Sequence, residues 1–142
     1  MEKNKTTINP RYSETDQMGI IYHSNYFVWF EVGRTDLLKK HGLGYEKVEE
    51  IGIILPVIEV NCKYKSSAFY GDDLDIKTFI EKLTPTRIKF KYEVIRKHDK
   101  LLASGFTEHV FVDKNKKRPI NLQKSYKDVY EKLKIIYNVY SD

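Results

Sequence analysis

Cysteine is almost missing from this sequence: Cys62 is the only one in 142 residues. That excludes an intrachain disulfide and any cysteine-built metal cluster, and it suits a reducing compartment. The four histidines, His23, His41, His98 and His109, are scattered without metal-ligand spacing, so no metal is expected. No apolar run approaches the roughly 18 residues that a membrane-spanning helix requires. The opening Met1-Glu2-Lys3-Asn4-Lys5 is polar and leads into a strand, so no signal peptide is expected. A Gly-rich phosphate loop of the P-loop or dinucleotide type is also lacking. These absences predict a cytoplasmic protein with no integral membrane segment, metal or resident cofactor.

What is present is the material of a packed core. The chain is 41% hydrophobic and 13% aromatic, which excludes a disordered polymer and suits one domain spanning 1–142. The net charge of +5 admits nucleic acid, an anionic membrane or a phosphate-bearing substrate as partner. Because the lysines are dispersed and no recognition helix accompanies them, nucleic acid is not expected.

Hydropathy periodicity divides the chain. Thr6 to Tyr12 reads as a strand and Ser13 to Ser24 as a loop turning at Gly19. A long helix starts near Ser24 or Asn25, both good capping residues, and stops at Lys39-Lys40-His41-Gly42. Its first turns, Tyr26 to Gly33, are apolar nearly all round, which predicts burial on every side. Gly33 weakens a helix, and close approach of the sheet is the expected compensation. Tyr45 to Ile51 is a short helix closed by Gly52. Ile58, Val60, Cys62 and Tyr64 alternate with polar residues as a half-buried strand, Leu74 to Leu83 follows, and Arg87 to Val94 alternates most cleanly. His98 falls in a turn, Leu101 to Val112 is the last long strand, and a terminal helix runs over about 121–137. The result is an α+β domain with an antiparallel sheet.

The densest chemistry is Tyr12-Ser13-Glu14-Thr15-Asp16-Gln17-Met18-Gly19-Ile20-Ile21-Tyr22-His23-Ser24-Asn25-Tyr26. A carboxylate, a glycine turn and a histidine are delivered to a helix N-terminus, where unpaired N–H groups favour negative charge. Asp16 there can act as nucleophile or hold a water, or it can simply cap a turn. His23 can orient Asp16 or a substrate, or offer its backbone N–H to an oxyanion, or be satisfied by the loop. Glu31 in an apolar helix needs a partner, and Arg34 one turn on is expected to supply it, with a pocket role as the second reading. His109 reads as a hydrogen-bonded core or edge histidine, and His41 as a helix end.

The run D-x-x-G-x-x-Y-H-x-N-Y from Asp16 to Tyr26, continuing W-F-E-x-x-R-T-D-L-L to Leu38, resembles acyl-CoA thioesterases of the 4-hydroxybenzoyl-CoA thioesterase type. It is most similar to the bacterial members associated with the Tol-Pal cluster. Tyr70-Gly71-Asp72-Asp73-Leu74, Ala103-Ser104-Gly105 and Arg118-Pro119 extend the likeness over about Tyr12 to Leu122. The resemblance implies the hotdog fold: a five-stranded antiparallel sheet wrapped around a long central helix, here with a C-terminal helix. It implies hydrolysis of an acyl-CoA to free acid and coenzyme A, with Asp16, His23 and, by alignment, Tyr12 as catalytic residues. Coenzyme A would be part of the substrate, not a cofactor, and a homodimer or homotetramer would build each site from two chains.

For the coenzyme A phosphates the candidates are Arg87, Lys89, Lys116, Lys117 and Arg118, which read equally well as a solvated face. Two alternatives stand beside the thioesterase acting on coenzyme A. One is a thioesterase whose substrate is carried by an acidic acyl carrier protein; the other is a non-catalytic hotdog protein that binds acyl-CoA or a partner. A hotdog dehydratase lacks its motifs here.

Overall fold

The computed structural model describes residues 4–97 and 100–140; His98 and the first three residues lie outside these. The first strand, β1, covers Asn4–Ile8, shorter than the sequence suggests, because Pro10 has no N–H with which to continue a ladder. Tyr12–Glu14 is instead a 3-10 turn. Helix α1 (Asn25–Lys40) and helix α2 (Tyr45–Ile51) follow. Then come β2 (Ile53–Ile54), β3 (Val57–Tyr64), β4 (Leu74–Leu83), β5 (Arg87–Arg96), β6 (Lys100–Val110) and β7 (Val112–Asp113). The chain closes with α3 (Leu122–Ser125) and α4 (Lys127–Tyr140).

Five strands form one antiparallel sheet in the order β1-β4-β5-β6-β3. Ile88, Phe90, Tyr92 and Val94 of β5 are fully buried on one face, as their alternation predicts. The long strand expected to reach Val112 stops at Val110. Phe111 turns its side chain into the core, and Val112–Asp113 pairs with Ile53–Ile54 in a separate ribbon. The terminal helix is likewise two pieces broken at Tyr126, with Asn121 capping the first by accepting from the Lys124 N–H. Val129, Tyr130, Leu133 and Ile136 form its buried stripe.

Helix α1 lies across the inner face of the sheet. The Phe30 ring stacks on Tyr92 at 4.4 Å with only 5° between planes. At Gly33 an added Cβ would collide with Thr78 Oγ1 and come within 2.9 Å of Ile76, so only glycine lets the helix sit this low. Thr78 Oγ1 itself is buried with no hydrogen-bond partner among the described residues.

Two expectations need correction. The helix is not buried all round, since Val28 and Val32 stand 49% and 39% exposed on a side that none of the described residues covers. Nor is β3 half-buried: Val57, Ile58, Val60 and Tyr64 are all exposed. Strand β3 is an edge of the sheet, and α1 meets it at the Tyr64 end, where Tyr26 packs edge-on against Tyr64 at 5.0 Å between ring centres.

Candidate active site

The loop between the 3-10 turn and α1 is a tight hairpin. Thr15 and Ile21 form an antiparallel bridge, the Asp16 N–H donates to the Ile20 carbonyl at 2.8 Å, and Gly19 turns the chain at φ +83°. Asp16 Oδ1 accepts from the N–H groups of Met18 (2.8 Å) and Ile20 (3.3 Å). The carboxylate does cap a turn, but with one oxygen; Oδ2 has no hydrogen-bond partner among the described residues. Turn-capping and chemistry therefore coexist in one side chain.

Glu14 holds this loop from behind. Its carbonyl accepts from Tyr22 N–H at 2.8 Å and from Asn25 Nδ2 at 3.0 Å, clasping the two chain segments that flank His23. Its buried carboxylate accepts from Arg11 N–H (2.7 Å) and from the indole of Trp29 (3.2 Å). The helix does begin at Asn25, but neither expected cap acts as one. Ser24 makes no side-chain capping bond, and Asn25 spends its amide on Glu14 and Tyr22.

The N–H groups of His23 and Ser24 consequently donate to no acceptor among the described residues. The His23 carbonyl is fixed by the Tyr64 hydroxyl at 3.0 Å. Its imidazole is exposed, lies 4.4 Å from Tyr22 and 6.2 Å from Tyr64 between ring centres, and makes no hydrogen bond with Asp16. Of the roles open to His23, the geometry equips the backbone one.

Asp16 and His23 face Tyr26 and the segment Tyr64–Ser67 across a cleft of about 350 Å³. That segment is docked by Ile21 N–H donating to the Ala68 carbonyl (2.9 Å) and by an Ile20–Phe69 bridge. Arg96 braces it further, pairing with Asp72 and donating to the Ser67 carbonyl at 2.7 Å. Burial raises the phenols of Tyr26 and Tyr64 and the neighbouring thiol of Cys62, so all three remain protonated and none competes with Asp16 as a nucleophile. Sequence reasoning missed Lys65, Ser66 and Ser67, since nothing in their local pattern ties them to a loop 45 residues earlier.

Other candidates lie elsewhere. Tyr12 is 71% exposed, 5.7 Å from the ring of Tyr70, and does not line the cleft. Arg87 pairs with Glu108 at 3.4 Å and Lys89 with Glu81 at 3.7 Å, on the outer face of the sheet. Arg87 lies seven residues along β5 from Val94, the level of Tyr64, which is about 23 Å at the usual strand rise. Lys116, Lys117 and Arg118 are exposed on the turn after β7. One chain does not bring these five residues to Asp16.

Arg34 does not pair with Glu31. Its Nη1 donates to the Tyr92 hydroxyl (3.2 Å) and Thr107 Oγ1 (3.5 Å), while Glu31 is exposed and has no need of a buried partner. Both residues line a second cavity of about 310 Å³ between α1, α2 and the start of β3. His109 is the core histidine expected, bonded to the Leu55 carbonyl and Thr107, with burial lowering its pKa to about 4.

A long helix laid across an antiparallel sheet, with a carboxylate and open N–H groups at its N-terminus, is the arrangement that the resemblance to hotdog thioester hydrolases implies. The chain belongs to the thioesterase-like superfamily, whose family model matches residues 10–133. It is similar to YneP of Bacillus subtilis, provisionally named an acyl-CoA thioesterase, at 39% identity over 137 residues, 94% of this chain and 99% of that one. The acyl-CoA thioester hydrolase YbgC of Escherichia coli is 28% identical over 114 residues, 80% of this chain and 85% of its own. Among solved structures, a DHNA-CoA thioesterase from Staphylococcus aureus superposes with a TM-score of 0.91 at 38% identity, covering 98% of this chain and 93% of that one.

Proposed function

We propose that this protein hydrolyses an acyl-CoA thioester to a free acid and coenzyme A, with Asp16 as the catalytic carboxylate. The observation that carries the assignment is the pairing of the unengaged Asp16 Oδ2 with the unengaged N–H groups of His23 and Ser24 beside one cleft. Asp16 either takes a proton from a water that attacks the thioester carbonyl, or attacks with its own oxygen to form a mixed anhydride that a water then cleaves to the free acid. The thioester carbonyl becomes an oxyanion that the helix N–H groups receive. The C–S bond then breaks and thiolate leaves without an acid, because a thiol ionises near pH 8.5. No cofactor is called for. Among the described residues no helix is long and apolar enough to cross a membrane, in keeping with a cytoplasmic enzyme.

The working unit is proposed to be at least a dimer. Val28 and Val32 on α1 and Val57 and Val60 on the edge strand β3 are exposed apolar residues that a second copy related by a two-fold axis would cover. Antiparallel pairing of β3 with its copy sets the Val57 end of one chain beside the Tyr64 end of the other. The Arg34 cavity next to Leu55 in one copy then faces the Asp16 cleft of the other, as an acyl pocket facing a catalytic carboxylate. The Lys116–Lys117–Arg118 turn, tied to Gly52 through Lys114, comes with it and supplies cations for the coenzyme A phosphates. Arg87 and Lys89, already engaged by carboxylates, are weaker candidates. The Asp16–Leu38 motif is what supports placement near the Tol-Pal-associated members, and the 38% identical DHNA-CoA thioesterase structure supports an aromatic acyl group.

The test is release of thiol from short, medium, long and aromatic acyl-CoAs. Turnover of at least one, lost in Asp16→Asn, is expected; a flat panel with well-folded protein would defeat the reading.

A further inference from the structure

The two unengaged N–H groups beside Asp16 belong to consecutive peptide units, Tyr22–His23 and His23–Ser24. Neither unit is cis. A trans peptide is planar and sends its N–H and its C=O in opposite directions, so a grip on the oxygen aims the hydrogen.

The Tyr22 carbonyl accepts from Asn25 N–H at 3.1 Å and from Asn25 Nδ2 at 3.2 Å. The other hydrogen of Nδ2 goes to the Glu14 carbonyl at 3.0 Å. Both acceptors are carbonyls, which fixes the Asn25 amide with its nitrogen toward them and uses both of its hydrogens. The His23 carbonyl accepts from Tyr26 N–H at 3.3 Å and from the Tyr64 hydroxyl at 3.0 Å. Here again a carbonyl can only accept, so the single phenolic proton is committed to it. Tyr64 lines the cleft yet has no proton left for a thioester oxygen.

The backbone by itself holds these units loosely. The bonds from Asn25 N–H and Tyr26 N–H span three residues, the tight-turn type with poorer alignment, and the second stretches to 3.3 Å. Each carbonyl therefore has a side-chain donor as well, and a different one: Asn25 from the helix, Tyr64 from the end of β3. The Tyr64 ring is seated in turn by Tyr26, which meets it edge-on.

We infer that Asn25 and Tyr64 are positioning residues for the oxyanion: Asn25 aims the His23 N–H, and Tyr64 the Ser24 N–H, at the thioester oxygen as it takes on charge, a role that rests on the thioesterase reading above. Neither side chain touches the reacting atoms; each acts through one peptide. Donors preset in this way need no reorganisation as the charge develops, and that is where they lower a barrier. Their loss falls on kcat, and it falls alike on every acyl group, because the thioester carbonyl is common to all.

The experiment measures kcat and KM for acetyl-CoA, hexanoyl-CoA and benzoyl-CoA in the wild type, Tyr64→Phe and Asn25→Ala, with circular dichroism as the folding control. Tyr64→Phe keeps the ring and removes only the hydroxyl. It should lower kcat by ~10-fold, short of the ~10²-fold or more for deleting an oxyanion donor outright, and move KM by less than about twofold. The factor should be the same for each thioester that the wild type hydrolyses. A factor that varies with the acyl group, or a raised KM with kcat held, would make Tyr64 a wall of the acyl site and overturn the inference. Asn25→Ala should show the same split, and Tyr64→Phe decides alone should Asn25→Ala fail to fold. Nuclear magnetic resonance of protein carrying isotope-labelled serine reads the peptide without turnover: the Ser24 amide resonance should move in Tyr64→Phe, and an unmoved one would overturn the inference. A moved resonance in a protein that hydrolyses no acyl-CoA would count against the thioesterase reading and keep Tyr64 as the holder of this peptide. Turnover with wild-type kcat in Tyr64→Phe would do the reverse.

Discussion

The indole N–H of Trp29 donates to Glu14 Oε2 across 3.2 Å, joining the first turn of α1 to the segment just ahead of the Asp16 hairpin. Glu14 is 7% exposed, and the same residue's carbonyl clasps Tyr22 and Asn25. Loop, helix N-terminus and core are thus registered to each other through one side chain and one peptide group. Glu14→Gln puts an amide donor where a second acceptor is needed, and Trp29→Phe removes the indole donor. A hydrogen bond to a charged group contributes about 1.5–3 kcal/mol, so both should lower thermal stability. Both should also reduce kcat by roughly tenfold while moving KM little, since what is misplaced is the pair Asp16 and His23 N–H, used in the transition state. Steady-state kinetics beside thermal melts decide it; lost stability with wild-type kcat would reduce Glu14 to a structural part.

Asp16→Asn should lower kcat by at least ~10²-fold, the lower range for loss of a general base, with fold intact. Oδ1 stays a turn acceptor in the amide, so the hairpin should survive. His23→Ala should cost less than ~10-fold, because the substitution retains the backbone N–H and the imidazole has no hydrogen-bond partner among the described residues. A collapse of kcat in His23→Ala comparable to that of Asp16→Asn would move the imidazole into the reaction.

His109 predicts an acid limb of stability. Its pKa is lowered by burial from 6.5 to about 4, so the unfolded chain takes up a proton before the folded one does. Stability is full above pH 6.5 and is lost as pH falls from there toward 4, by about 3 kcal/mol at the lower end. Urea denaturation of wild type and of the non-titrating His109→Gln, at steps between pH 7 and 4.5, isolates the contribution. The wild-type curve should fall more steeply; parallel curves would show that His109 is charged in the folded state.

Val60→Lys places a charge on the bare edge of the sheet and should leave a folded monomer with at least ~10-fold lower activity, if the site needs two chains. Size-exclusion chromatography with light scattering measures the first half and thiol release the second. A monomer of full activity would remove the second copy from the site.

Much of this was legible from side-chain order. The alternation in β5 reads directly because both sheet neighbours and the helix that covers it belong to the same chain. The Asp16–Gly19 turn and the close approach at Gly33 are likewise local consequences of residue type. Strand β3 also alternates yet its apolar residues stand exposed, because periodicity states which face wants burial and not which molecule provides it. Ser24 and Asn25 were plausible caps by type, but Glu14 and Tyr22 compete for the Asn25 amide across the loop. Glu31 and Arg34 have the spacing of an ion pair, and the tyrosine and threonine facing Arg34 from β5 and β6 are invisible to helix spacing. Lys65 to Ser67 reach the cleft only through sheet topology.

The contact at Gly33 has a mechanical consequence. Helix α1 is seated on the sheet near its midpoint, with Thr78 and Ile76 beneath it as a fulcrum. One arm of the lever ends at the open N–H groups beside Asp16, and Arg34, just past the fulcrum, begins the other. A single methyl at residue 33 would have to lift or tilt the rod, and the two arms would swing in opposite senses. A change touching neither pocket would thereby detune both together, and activity and acyl preference should drift as one quantity along any series of substitutions under the helix.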